Sequence, residues 1–222
     1  MSQNPFDPAF DDLPATLPIF PLAGVLLLPR VRLPLNVFEP RYLAMTEDAL
    51  AAGNRMIGMI QPADPGDRGH EPAVYRTGCA GRITSFAETE DGRFLITLTG
   101  SCRFAVADEI ATTRGYRRVV PAWTAFAGDL AEPVGAKIDR QRLLDGLRPY
   151  FRQHGLTASW DTVESTPDER LVNSLAMICP FSPSEKQALL EASALEERAR
   201  LMTAMIEMAV LDHTDGDTAA RH

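Results

Sequence analysis

The stretch LPIFPLAGVLLLPRVRLPLNVFEPRY, Leu17 to Tyr42, is the most apolar and most proline-studded part of the chain. A transmembrane helix needs about 20 mostly apolar residues free of costly charges. Here Pro21, Pro29 and Pro34 interrupt any helix, because each lacks an N–H and clashes with the preceding turn. Arg30 and Arg32 add two charges near the middle. A secretory signal does not fit either, since Asp7, Asp11 and Asp12 stand where such a signal carries basic residues. What remains is a set of short extended segments, each started or stopped by a proline. Strands are therefore expected near 18–22 and 24–28.

The pattern that follows is mixed at first and then uniformly β. Pro40 sits where a first helical turn tolerates proline, and Gly53 offers the left-handed conformation that ends helices, so a helix is expected over roughly 40–52. RMIGMIQP reads as a compact apolar strand, followed by the loop ADPGDRGHEP. From Tyr75 to Trp123 the reading is all β. Asp91-Gly92 marks a hairpin turn, and after it Phe94, Ile96 and Leu98 alternate with Leu95, Thr97 and Thr99, giving one apolar face and one mixed face. Gly78 and Gly81 suggest bulges or sharp coiling, as in a small closed barrel. GYRRVVPAW supplies a further strand.

Around AGDLAEPVGAK the β signals stop. Three N-terminal capping boxes follow, at Thr166–Glu169, Ser182–Glu185 and Ser193–Glu196, in each of which a hydroxyl and a glutamate can satisfy backbone donors reciprocally. Leu195, Ala199, Met202, Ile206 and Ala209 form one apolar stripe in the last helix. With a helix near 133–153 this makes a bundle of about four helices. The expected fold class is α+β: a flexible tail over 1–15, a β domain over 16–125, a helical bundle over 126–212, and a second flexible tail over 213–222.

Charge narrows the function classes. The 222 residues carry a formal net charge of −8, which opposes contact with phosphate backbones, whose affinity rests on cationic side chains. The segment from 64 to 121 holds eight arginines and eight acidic residues. Cys79, Cys102 and Cys179 are widely spaced and form no C-x-x-C pair, a usage that suits small buried thiols in a reducing cytoplasm. Neither Cys nor His comes in ligand pairs, so no metal or other cofactor is expected.

The order and spacing of LPIFPL, LLPRVRLPLNVFEPRY, GCAGRI, LTGSCRF and PFSPSEKQALLE resemble the substrate-binding (amino-terminal) domain of Lon-type proteases, over about residues 17 to 210. The resemblance implies a pseudobarrel of the PUA-like type accompanied by a helical bundle. It also implies contact with unfolded or degradation-bound polypeptides, or service as an adaptor for a protease. The 222 residues contain no G-x-x-x-x-G-K-[ST] phosphate loop. Their only lysines, Lys137 and Lys186, lie in nothing like the family's peptidase sequence. The resemblance therefore extends to binding and not to proteolysis, and the chain reads as a stand-alone, non-enzymatic, cytoplasmic member with no nucleic-acid or membrane partner.

Phe38, Glu39, Arg41 and Tyr42 are the candidate recognition residues within that motif. The competing reading gives Glu39 the positive end of the following helix and Arg41 a nearby acid or carbonyl. Arg114, Arg117 and Arg118 raise an RNA-binding alternative of the PUA-like type, against a solvated strand end. A small hydrolase built around Cys102 or His70 is a third reading, although His70 and His154 stand alone and Ser101 lacks the G-x-S-x-G elbow. The Met-rich segments RMIGMI and RLMTAMIEMAV are either core or an adaptable binding surface.

Overall fold

The computed structural model describes residues 8–64, 66, 72–131 and 135–219, the last seven of these by backbone alone. Two compact units are present, and the chain passes between them more than once.

The first unit is built on one six-stranded sheet. Its elements are β1 (Leu17–Pro21), β2 (Arg32–Val37), helix α1 (Pro40–Ala51), β3 (Met56–Ile60), β4 (Thr77–Glu88), β5 (Phe94–Ile110) and β6 (Arg117–Ala122). β1 and β3 run parallel, and every other pairing is antiparallel. The 17 residues of β5 do double duty. Opposite β4, its first half pairs with β2 and its second half with β6. Because β6 also pairs with β1, the strands β4, β3, β1, β6 and the second half of β5 close into a barrel, which removes their edges. The β2–β5–β4 ladder continues past the barrel as a three-stranded finger.

Leu17, Ile19, Met56, Ile60 and Val119 fill the barrel around Phe104, whose ring meets Trp123 edge-on at 5.8 Å. Phe104 fits because Gly78 faces it: a Cβ there would lie 2.6 Å from the ring. The expected irregularity at Gly81 is present as a register shift between Ala80 and Gly81, while Gly78 keeps its register and serves packing alone. The Asp91-Gly92 hairpin forms as expected, with Gly92 at φ 76°. Helix α1 also forms, but the left-handed residue after it is Arg55, at φ 53°, and not Gly53.

The strand expected at 24–28 is absent. Gly24 and Arg30 both have left-handed backbones, at φ 72° and 64°, and the segment between them joins no ladder. Leu26, Leu27 and Leu28 are nonetheless buried. The Leu28 carbonyl presses so closely on Gly100 that a Cβ there would come within 2.0 Å of it. Backbone bonds of 2.8 Å from Arg30 to Gly100 and 2.9 Å from Gly100 to Val31 pin the crossing. An apolar run thus becomes a buried irregular segment, and the second strand is β2, which begins at Arg32.

The second unit holds α2 (Arg140–Gln153), α3 (Trp160–Ser165), α4 (Asp168–Ile178) and α6 (Leu195–Ala219). α2 begins later than the expected 133, because Asp139 caps it by accepting from the Arg142 N–H at 3.2 Å. In α6 the stripe forms as expected, with Ala199, Met202 and Ile206 buried. Gly146 lets α2 approach it, since a Cβ there would lie 3.2 Å from Ile206. Of the three expected capping boxes, only the one at Ser182 forms as drawn: its N–H donates to Glu185 at 2.7 Å and its hydroxyl accepts from the Glu185 N–H at 3.3 Å. At the first box Pro167 is the cap residue, with no side-chain bond, and the Thr166 hydroxyl donates back to Thr162. At the third, Ser193 bonds Glu197 and not Glu196.

The division expected at 125/126 differs from the one observed. The first unit continues through a 3-10 turn, Thr124–Leu130, and also takes in Pro180–Leu190, which carries most of helix α5 (Pro183–Glu191). α5 docks on the barrel through buried polar groups. Gln187 donates to the Thr77 carbonyl at 3.1 Å, and Lys186 donates to the Gly24 carbonyl at 2.8 Å. Gln61, 1% exposed, donates to the Pro183 carbonyl and to Gln187 while accepting from the Gly24 N–H.

Candidate binding surface

β2 ends on the buried Val37, and the next residue, Phe38, is 61% exposed. Glu39 then caps α1 by backbone position only. Its carboxylate makes no cap bond and accepts instead from Arg41 Nε at 3.0 Å. Arg41 also lies over the Tyr42 ring at 4.5 Å. Tyr42 is buried, stacked on Phe20 at 4.1 Å, and burial raises its phenol pKa against the opposing Arg41 charge. Of the four candidate residues, Phe38 therefore faces solvent, Glu39 and Arg41 form a half-exposed ion pair, and Tyr42 belongs to the core.

Two residues that the sequence did not single out as binding residues join Phe38 at the finger. Phe86 and Leu95 are 42% and 45% exposed. Leu95 pairs with Asn36 and Ala87, whereas Phe86 pairs with Ile96 and meets the Phe94 ring at 5.0 Å. Because cross-strand partners share a face, Leu95 and Phe86 stand on opposite faces of the finger. Arg93 lies 5.9 Å from the Phe38 ring and pairs with Asp91 at 2.8 Å. The signal for Leu95 was its place on the mixed face of the alternating strand. Phe86 had none, because its exposure depends on the finger outrunning the barrel.

The other candidates are accounted for by neighbours. Arg114 bonds Asp48 and Glu47, Arg117 holds Glu109 through two nitrogens, and Arg118 donates to Thr16. Cys102 is fully buried, and burial, reinforced by Asp129, pushes its thiol pKa up to about 12. At neutral pH it is a thiol and not a nucleophilic thiolate. Asp129 is itself held by the buried Arg103 through bonds of 2.8 Å to each oxygen. Burial works against the Arg103 charge, but the bonds to Asp129 more than offset it, so its pKa is raised. His154 lies against Tyr150 at the end of α2, Ser101 is half-buried within β5, and His70 lies outside the described residues. Met56, Met59 and Met202 are core, while Met208 is 56% exposed. Among the described residues no cluster of three His, Cys, Asp or Glu is placed to hold a metal ion, and no helix is long and apolar enough to cross a membrane.

The family model for the ATP-dependent protease La (LON) substrate-binding domain matches residues 16–208. The chain belongs to the Lon substrate-binding domain family. It is similar to the Lon protease of Dictyoglomus thermophilum, 24% identical over an alignment of 204 residues, gaps included, that covers 86% of this chain and 24% of that protein. It is 32% identical to the Lon protease of Roseiflexus castenholzii over 102 residues, 46% of this chain and 12% of that one. The chain spans about a quarter of the length of the full Lon proteases that it matches over most of its own length. Its fold is like that of a Lon N-terminal domain protein from Xanthomonas campestris, with a TM-score of 0.60 and 24% identity, covering 85% of this chain and 97% of that one. The N-terminal domain of the Mycobacterium avium complex Lon protease shares the fold at 13% identity, with a TM-score of 0.58 and coverage of 86% and 97%. The α+β architecture expected of a Lon N-terminal domain is the one observed.

Proposed function

We propose that this protein is a non-enzymatic, cytoplasmic polypeptide-binding module. It recognises unfolded or degradation-bound proteins, alone or as an adaptor for a protease. The observation that carries this reading is the family match over 16–208. The exposed Phe38, Phe86 and Leu95 supply apolar contact points suited to it, with Phe86 and Leu95 on opposite faces of the finger. Exposed aromatic and aliphatic groups take apolar segments without demanding a sequence, and the ordering entropy of a disordered client keeps such binding weak. Glu39 and Arg41, which follow Phe38 in the chain, form a neutral pair, so contacts are mainly apolar and only modestly salt-dependent.

The test is binding of a reduced, unfolded model protein and of its folded form, at low and high salt, by fluorescence anisotropy. The unfolded form alone binds, and a Phe38→Ser/Phe86→Ser/Leu95→Ser variant binds it several-fold more weakly while keeping the circular-dichroism spectrum of the folded parent. Indifference to the client's folding state would defeat the proposal, as would loss of binding at high salt.

A further inference from the structure

Within the helical unit, α2, the turn after it and the start of α3 enclose an open cleft of about 500 Å³. That volume lies in the range of small-ligand sites, about 300–1,000 Å³. Phe151, Leu156 and Trp160 supply apolar lining, and Arg148 and Arg152 supply charge. The two arginines stand four residues apart on α2, where like charges on one helix face repel. Arg148 is committed: it pairs with Glu164 at 2.6 Å and lies 4.3 Å over the Trp160 ring. Arg152 is exposed, and its guanidinium has no ion pair among the described residues. Its place in the last turn suits the helix dipole, which explains a positive charge there but not the apolar cleft beside it.

The geometry points to a binding site for a carboxylate carried on a flat or branched apolar group, with the apolar group against Trp160 and Leu156 and the carboxylate on Arg152. An anion there neutralises the Arg152 guanidinium, which can donate two parallel hydrogen bonds to a carboxylate. A free aromatic acid and the carboxyl-terminal residue of a peptide both present this chemistry.

The probes are N-acetyl-phenylalanine, its amide, and a hexapeptide ending in phenylalanine, titrated while the Trp160 indole N–H is followed by NMR. Saturable shifts are expected with the acid and at least fivefold weaker binding with the amide. Arg152→Gln, an exposed change, removes the preference for acid over amide and leaves the melting temperature unchanged. Tighter binding of the hexapeptide than of the free acid identifies a peptide terminus as the source; equal or weaker binding identifies a small acid. No saturation with any probe, equal binding of acid and amide, or an unaltered preference in Arg152→Gln would overturn the assignment.

Discussion

Gln61 and Gln187, 126 positions apart, share a buried amide-to-amide hydrogen bond of 3.2 Å. The bond ties the segment just after β3 to α5 and makes a helix from late in the sequence part of the barrel unit. Gln187→Ala leaves the Thr77 carbonyl and part of the Gln61 amide without partners. The expected cost is about 2 kcal/mol in urea unfolding, the scale of an unsatisfied buried polar group. Gln61→Ala/Gln187→Ala should cost less than the sum of the single changes, because the two share a bond.

Arg103 and Asp129 form a buried pair, 6% and 10% exposed at their side chains, and Arg103 also holds the Leu190 carbonyl at 3.0 Å. Asp129→Asn leaves a buried guanidinium charge without its counter-charge. A loss of about 3–5 kcal/mol follows, measurable as a lowered urea midpoint. A variant as stable as the parent would mean that water reaches the pair.

Gly100→Ala forces a methyl group against the Leu28 carbonyl, and the atom it meets is backbone that cannot rotate away. The 24–31 crossing must lift, uncovering Leu27 and Leu28. The expected destabilisation exceeds about 3 kcal/mol, the scale of severe core disruption. Gly53→Ala, where nothing lies within 4 Å, serves as the control in the same melts.

Ser182→Ala removes the one capping box that forms as drawn and should cost about 1 kcal/mol, with Ser184→Ala costing clearly less. Equal effects in thermal melts would place the helix start elsewhere.

Glu197 gives a pH signature. The Ser193 hydroxyl and backbone N–H hold its carboxyl below the ordinary value of 4.5. A folded-state pKa below the unfolded one contributes stability above the unfolded value and loses it as pH falls through the folded one. Glu197→Gln should therefore flatten the fall in stability below about pH 4.5 and leave the slope near neutrality unchanged.

Much was legible in the sequence because it is written in local chemistry. The apolar alternation of β5, the turn at Asp91-Gly92, Pro40 at the start of α1 and the stripe of α6 each depend on residues within a few positions of one another. Phe38, Glu39, Arg41 and Tyr42 were also visible as a cluster, but their accessibility was not: Tyr42 turns inward onto Phe20, and Phe86 and Leu95 surface only where the finger leaves the barrel. Tertiary structure alone decided that the leucines at 26–28 lie in a buried crossing and that α5 joins the barrel. The reason is physical. A helix or hairpin is selected by neighbours along the chain, whereas a carbonyl against Gly100 or an amide bonded to Gln187 is selected by a partner that only folding brings near.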